Sequence, residues 1–215
     1  MTSSRRVVTL IGLTIALVVP AMGPTKYLPA MAGFDPMVVR EWFWWALLAV
    51  VLLYVLVVER RPLSSIGFRR PSWKTFVFGV LFGILGVAGI SAIYLVLFPI
   101  LHLQMNAQEL GKLLHTPFWY RFLLVTRAAT MEETLFRGYG IERTAELTGS
   151  RWLAGAVTWG LFAFAHLSAW GWAQLIIAGY GGLVLTLLYL WRRDLVCNMI
   201  AHWVTDGAGF LLPHG

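Results

Sequence analysis

The sequence predicts an all-α protein, a polytopic bundle of transmembrane helices with about seven spans, in a range of about six to eight. Charged residues make up 13% of the 215 residues, whereas a soluble domain carries roughly 25%. The mean hydropathy is +0.72, and the apolar residues are collected in long runs. Since a soluble fold with this composition would expose too much apolar surface, lipid is the solvent that fits it.

The predicted spans follow one another along the chain, and most approach the length of about 20 residues that a spanning helix needs. They are residues 7–22, 42–58, 76–101, a fourth from near 117 through 137 and toward 147, then 152–167, 172–191 and 195–212. The fourth differs from the others because glutamates and arginines interrupt it. We expect residues 1–215 to form a single integral membrane domain.

Lysine and arginine residues predict the orientation of the bundle. They are concentrated before the first span and then in every second connection: Arg5, Arg6, Arg60, Arg61, Arg69, Arg70, Lys74, Arg143, Arg151, Arg192 and Arg193. The positive-inside rule then places the N-terminus in the cytoplasm and the C-terminus outside. Because topology explains the net charge of +7, we predict no nucleic-acid partner.

Glycines in the third span predict close helix packing. Gly79 and Gly83 are four residues apart, and Gly86 follows three residues later. Small residues at this spacing let two helix backbones approach each other in a membrane. The spacing is equally consistent with packing against another helix of the same bundle and with packing against a second copy of the chain.

The fourth span carries the first polar motif, Glu132-Glu133-Thr134-Leu135-Phe136-Arg137. Glu133 and Arg137 are four residues apart, so one helical turn stacks them on one face. Glu132 points about 100° away and lacks that partner. Two adjacent carboxylates in different surroundings can take different roles, one of them as a general base. The alternative is a helix end with ordinary surface charges.

Two later spans each carry a histidine. His166 ends the apolar run that begins at Phe162, and His202 lies one helical turn before Asp206. An aspartate that fixes the orientation of a histidine is a common arrangement. A charge at the centre of a bilayer costs at least ~2.5 kcal/mol on insertion scales, so ionisable residues there are functional by default. Asn198, one turn before His202, falls on the same helix face.

The three motifs would together supply carboxylates, histidines and one arginine from three hydrophobic helices. A glutamate with a histidine can bind and deprotonate a water molecule. A histidine with a second donor can stabilise the oxyanion of a tetrahedral intermediate. If the motifs converge in space, they provide the general base and the oxyanion donors that hydrolysis of an amide bond requires.

The order E-E-x-x-x-R, F-x-x-x-H and H-x-x-x-N/D resembles the CAAX protease and bacteriocin-processing family, also called the CPBP or Abi family. The likeness covers about residues 130–212, the predicted catalytic core, and includes the glycine-rich segment 179–182. It implies an intramembrane glutamic endopeptidase in which Glu132 is the general base and acts with His166 on the attacking water. It also implies that Glu133 and Arg137 order the site.

The same resemblance implies that His202 and Asp206 bind the oxyanion. Where the family has asparagine, the side chain can donate a hydrogen bond, but an ionised aspartate cannot. Either Asp206 is protonated, or it orients His202, which then donates. The family pattern admits aspartate at this position.

For the activity, the resemblance implies cleavage of a peptide bond near the C-terminus of a protein, prenylated or not, or the processing of a small peptide. The short basic chain resembles bacterial members, so we expect a bacterial plasma membrane, a peptide or protein substrate and no cofactor. One alternative is a zinc-dependent protease with Glu132, His166 and His202 as ligands, although the H-E-x-x-H signature is absent. The other is a non-enzymatic transporter or immunity protein with a buried proton or ion relay.

The predicted span boundaries place the motifs at different depths. Glu132 would lie near the cytoplasmic side, His166 near the outer side, and His202 about 11 Å from the cytoplasmic end of the last span. These depths meet only if the fourth span starts near Phe122 and reaches Leu147, or if the fifth begins well inside the cytoplasm.

Overall fold

The computed structural model describes residues 2–23, 35–104 and 106–212. Across these ranges the chain forms eight helices and no strand. They are α1 (Ser3–Ala21), α2 (Pro36–Val58), α3 (Trp73–Ile100), α4 (Ala107–Leu114), α5 (118–148), α6 (Arg151–Trp170), α7 (Ala173–Arg192) and α8 (Leu195–Phe210). The all-α prediction is confirmed.

Four of these helices are long and apolar enough to cross a membrane, namely α1, α2, α3 and α7. They coincide with the first, second, third and sixth predicted spans. The other three predicted spans correspond to α5, α6 and α8, which carry the polar motifs. The number of full spans stays a prediction, and the protein is an integral membrane protein with a helical bundle.

Helix α2 begins earlier than the sequence prediction, at Pro36 rather than residue 42. The side chain of Asp35 accepts a hydrogen bond of 2.8 Å from the backbone N–H of Met37 and caps the helix. Proline in the first turn suits this position because its missing N–H has no partner there in any case. The hydropathy pattern alone misses this first turn because Arg40 and Glu41 separate it from the apolar run that begins at Trp42.

Helix α5 is continuous but changes its winding. It is α-helical over Phe118–Glu132, π-helical over Glu133–Ile141 and α-helical again over Glu142–Thr148. It ends at Gly149, whose φ of 74° is a left-handed conformation that glycine adopts readily. Single π-helical stretches inside α-helices are frequent at functional sites. Here the stretch begins at the second glutamate of the first motif.

The π-helical stretch lies in the main core of the bundle. Leu135, Phe136 and Tyr139 are at most 2% exposed. They belong to a buried cluster with residues of four other helices: Ala16 and Leu17 of α1, Leu47, Leu48, Val51 and Val55 of α2, Phe162 of α6 and Ala178 of α7. The first motif is therefore held by neighbours on several sides.

Close packing of α3 against α8 sets the position of the third motif. A Cβ atom on Gly79 would lie 2.7 Å from Cγ2 of Ile200, and one on Gly83 would lie 2.5 Å from Cβ of Val204. These glycines therefore face α8 of the same chain. Of the two predicted alternatives, the structure shows packing within the bundle at this face. Only a glycine lets α8, with His202 and Asp206, come this close to α3.

One end of the bundle, called the basic end below, gathers the start of α1, the loop 59–72, the end of α5 and the turn at residues 193–194. Ion pairs join these parts. Nη2 of Arg143 lies 2.6 Å from Oε2 of Glu59, with both side chains at most 4% exposed. Arg193 pairs with Glu142 at 2.8 Å. The opposite end, where α5 begins and α6 and α8 finish, is called the far end.

Candidate active site

Glu133 and Arg137 form a buried ion pair at the base of the site. Nη1 of Arg137 donates to Oε1 of Glu133 at 2.9 Å, and the two side chains are 1% and 0% exposed. Nη2 of Arg137 donates to the carbonyl of Gly182 on α7 at 3.0 Å. The guanidinium also stacks on Phe162 of α6, 4.1 Å from the ring centroid. The predicted pairing is observed, and it ties α5 to two neighbouring helices.

His202 joins the third motif to the first through Glu133. Its Nδ1 lies 2.8 Å from Oε1 of Glu133, and the amide of Asn198 donates to Oε2 of Glu133 at 3.0 Å. A carboxylate that accepts from Arg137 and Asn198 acts as an acceptor toward the histidine as well. Nδ1 of His202 therefore carries a proton, and Nε2 is the nitrogen left for chemistry.

Nε2 of His202 faces two further carboxylates. It lies 3.3 Å from Oδ2 of Asp206 and 4.0 Å from Oε2 of Glu132. Asp206 is 26% exposed and Glu132 is 16% exposed, whereas Glu133 is fully buried. The site therefore has a dry side, formed by Glu133, and an accessible side, formed by Glu132 and Asp206.

His166 approaches Glu132 from α6. Its Nδ1 lies 2.8 Å from the carbonyl oxygen of Phe162, and a carbonyl can only accept, so Nδ1 carries the proton. Nε2 then faces Oε2 of Glu132 at a distance of 3.9 Å. A water molecule with ordinary hydrogen bonds of about 2.8 Å can contact two atoms at this separation. Glu132 and His166 are thus spaced to share one water.

The structure brings all six predicted residues into one cluster. The first motif contributes Glu132, Glu133 and Arg137, the second contributes His166, and the third contributes His202 and Asp206. Helix α5 runs over 118–148, so Glu132 lies near its middle, close to His166 of α6 and His202 of α8. Its end at Thr148 agrees with the predicted extension to Leu147, whereas its start at Phe118 comes before the alternative start near Phe122.

The chain matches one known family over this part of its length. Residues 114–208 match the family model described as type II CAAX prenyl endopeptidase Rce1-like. A search of curated proteins found no match, and neither did a search of solved structures. The matched Rce1-like region holds all six residues of the cluster and begins earlier than the predicted core of 130–212.

The match to the Rce1-like family model indicates the general class of this region of the protein. The family comprises membrane proteases of the CAAX type, which act on protein substrates in the membrane. The match over residues 114–208 therefore supports a CAAX-type intramembrane protease in general terms. The resemblance predicted from the three motifs is confirmed.

Metal binding was the alternative role for part of this cluster. Among the residues that the structure describes, no group of three or more His, Cys, Asp or Glu side chains is arranged to hold a metal ion. In the zinc alternative, Glu132, His166 and His202 are the ligands. Both the absence of a cofactor and the zinc site stay predictions, which a chelator can decide.

Other polar contacts around the Rce1-like region had no place in the motif pattern. Arg127, one turn before the first motif, donates from Nε to Oε2 of Glu41 on α2 at 2.8 Å. Tyr139 donates to Glu59 at 2.7 Å. Opposite charges within neighbouring apolar spans are the signal that could have suggested the first pair. Which charges pair across helices cannot be deduced from spacing within one helix.

Proposed function

We propose that the protein is an intramembrane endopeptidase in which Glu132 activates the water that attacks a peptide bond. The observation that carries this proposal is the position of Oε2 of Glu132, 3.9 Å from Nε2 of His166 and 4.0 Å from Nε2 of His202. Glu133, the neighbouring carboxylate, is occupied by Arg137, Asn198 and His202. Glu132 is the carboxylate that remains available for a substrate water.

In the proposed first step, one water binds between Glu132 and His166. Glu132 takes a proton from it, while unprotonated Nε2 of His166 accepts its other hydrogen and directs a lone pair of the oxygen toward the scissile carbonyl. General acid–base catalysis of this kind contributes typically about 10²–10⁴-fold. The water oxygen bonds to the carbonyl carbon, and the carbonyl oxygen becomes an oxyanion.

His202 and Asp206 are the proposed groups on the oxyanion side. When both nitrogens of His202 carry a proton, Nδ1–H donates to Glu133 and Nε2–H points to the accessible side. Nε2–H can then donate to the oxyanion with Asp206 orienting the ring, or a protonated Asp206 donates as well. A fixed donor at this place is worth about 10²–10³ in kcat. The proton held by Glu132 then passes to the leaving amine as the C–N bond breaks.

The proposed setting is a bacterial plasma membrane with the N-terminus in the cytoplasm. The basic end then faces the cytoplasm, as the positive-inside rule requires. The proposed substrate is a protein cleaved near its C-terminus, prenylated or not, or a small peptide. No cofactor is required by this chemistry, because the base and the oxyanion donors are side chains.

The test uses the purified full chain and internally quenched peptides, one series prenylated and one not. We expect cleavage that persists in a chelator and is lost in Glu132→Gln. Glu146→Gln is the matched control, because this partly exposed carboxylate pairs with Arg61 at the basic end, outside the site. Cleavage that stops with chelator and returns with zinc would establish the metal alternative. A cellular phenotype that depends on Glu132 without any peptide cleavage would favour the relay alternative.

A further inference from the structure

Aromatic side chains line a groove between α3 and α7 at the basic end, called the aromatic groove below. Trp191, near the end of α7, meets Phe78 of α3 edge to face with ring centroids 5.0 Å apart, and its ring lies 6.0 Å from that of Phe82. On their inner side, Phe78 and Phe82 pack against a buried apolar cluster of α7 and α8. Toward the far end, the hydroxyl of Tyr180 donates to the carbonyl of Leu85 at 2.9 Å, so the two helices stay in contact along the groove.

Two cations border the aromatic groove. The guanidinium carbon of Arg192 lies 4.6 Å from the ring centroid of Phe78 and 5.4 Å from that of Trp191. Lys74 comes four residues before Phe78, so the two residues share one face of α3. Nζ of Lys74 lies 5.7 Å from the ring centroid of Trp73. Contacts with ring faces hold a cation in place without neutralising its charge.

Neither cation forms an ion pair within the described part of the chain. The ion pairs at the basic end use other cations, namely Arg61, Arg143, Arg151 and Arg193. Asp194 follows two residues after Arg192, but it is buried, and its carboxylate accepts from Thr75 and from the backbone N–H of Cys197. Nε of Arg192 has no hydrogen-bond partner. The two positive charges therefore lack a counter-charge.

The surroundings of the two cations match the boundary between the headgroups and the apolar interior of a membrane. Further along α3 the exposed face is apolar, with Leu81 53% and Ile84 55% exposed, and α3 is long and apolar enough to cross a membrane. Beside the cations, Trp73 and Trp191 are 69% and 59% exposed. Tryptophan is enriched where a membrane meets water. One helix face thus passes from positive charge through aromatic rings to apolar side chains.

We propose that the aromatic groove binds an anionic phospholipid, with its phosphate on Lys74 and Arg192 and its acyl chains along α3 and α7. The headgroup supplies the missing negative charge, and the chains cover the apolar face of α3. Basic pockets between transmembrane helices bind anionic headgroups in this way. A lipid that binds only the folded bundle stabilises it by mass action. The inference depends neither on the proposed endopeptidase activity nor on which leaflet the basic end occupies.

Thermal unfolding of the purified full chain tests the lipid and its site together. Phosphatidylglycerol or phosphatidylcholine is titrated into micelles of an uncharged detergent, and we expect phosphatidylglycerol to raise the unfolding temperature at the lower mole fraction. In Lys74→Gln/Arg192→Gln, the half-saturating mole fraction of phosphatidylglycerol should rise about 30-fold, the factor for two cations that contribute roughly 1 kcal/mol each. Arg5→Gln/Arg6→Gln removes two exposed charges elsewhere at the basic end and should leave the titration unchanged.

Three outcomes of this titration would overturn the proposal. Equal stabilisation by the two lipids would show that the headgroup charge has no role. An equal shift in the two double variants would show a diffuse attraction rather than a site. Inorganic phosphate that stabilises the wild type as well as phosphatidylglycerol does would make the ligand a free anion.

Photocrosslinking of the wild type decides the question even where the double variant fails to fold. The full chain is placed in phosphatidylcholine vesicles with phosphatidylglycerol that carries a photoactivatable group on an acyl chain, and the modified peptides are mapped by mass spectrometry. We expect crosslinks within residues 73–85 and 180–191 that added unlabelled phosphatidylglycerol suppresses and added phosphatidylcholine does not. Crosslinks confined to other helices, or equal suppression by both lipids, would contradict the proposed site.

Discussion

Nδ1 of His202 lies 2.8 Å from Oε1 of Glu133, so the first and third motifs share one buried carboxylate. Arg137 and Asn198 donate to the same carboxylate. Glu133 therefore has neighbours on its own helix and on α8, whereas Glu132 faces the two Nε2 atoms on the accessible side. Adjacent residues in the chain therefore have different surroundings: Glu133 is buried and joins two helices, whereas Glu132, the proposed base, lies on the accessible side.

Replacing Glu133 should lower stability far more than replacing Glu132. Glu133→Gln leaves the guanidinium of Arg137 buried without its counter-charge, and breaking one partner of such a pair costs about 3–5 kcal/mol. Glu132→Gln removes no buried ion pair. Thermal unfolding of the purified variants in one detergent measures the difference. Equal unfolding temperatures would show that Glu133 does not have the structural task assigned to it.

Glu132→Gln should abolish peptide cleavage while preserving the fold. The amide has the same shape but cannot take a proton from water, so the rate should fall about 10²–10⁴-fold. Initial rates with a quenched peptide measure this loss, and the unfolding temperature serves as the check on folding. Wild-type rates in this variant would remove Glu132 from the role of base.

Substitutions of Asp206 distinguish its two proposed roles. Asp206→Leu keeps the approximate size but removes every polar contact with Nε2 of His202, so we expect kcat to fall about 10²–10³-fold with a smaller change in KM. Asp206→Asn supplies an amide donor, as the family pattern allows, and should retain most of the activity. An asparagine variant as inactive as the leucine variant would mean that the negative charge itself is needed to orient His202.

Asn198 is expected to act as a positioning residue for Glu133 and, through it, for His202. Its amide donates to Glu133 at 3.0 Å and to the carbonyl of Leu185 at 2.7 Å. Asn198→Leu leaves both buried acceptors without that donor, at a cost of about 1–3 kcal/mol. We expect kcat to fall more than KM changes. Cys197→Ala, a buried substitution one residue away on α8, should leave the kinetics close to wild type.

The contact between α3 and α8 should be sensitive to side-chain size. Gly83→Val places atoms where Val204 and the carbonyl of Ala201 already lie, and such overpacking costs about 1–3 kcal/mol. Since α8 carries His202, activity should fall together with the unfolding temperature. Gly160→Ala is the matched control, because no atom lies within 4 Å of a Cβ built there. A tolerant Gly83→Val variant would mean that α3 and α8 can separate without moving the site.

The sequence predicted the helical class, the resemblance and the six residues because each depends on local information. Apolar runs reveal helices in lipid, and a spacing of four residues places Glu133 beside Arg137. It could not predict the change to π-helical winding at Glu133, since no residue type marks it. It also missed the first turn of α2, because Arg40 and Glu41 interrupt the apolar pattern between that turn and Trp42.

What the sequence determined by itself is a membrane bundle with three polar motifs in a recognisable order. The tertiary structure alone decided that Glu132 faces His166 and His202 and that Asn198 joins Glu133. The physical reason is distance along the chain. Helical periodicity orients side chains relative to their own helix, whereas the depth and partners of those side chains depend on how α3, α5, α6 and α8 pack together.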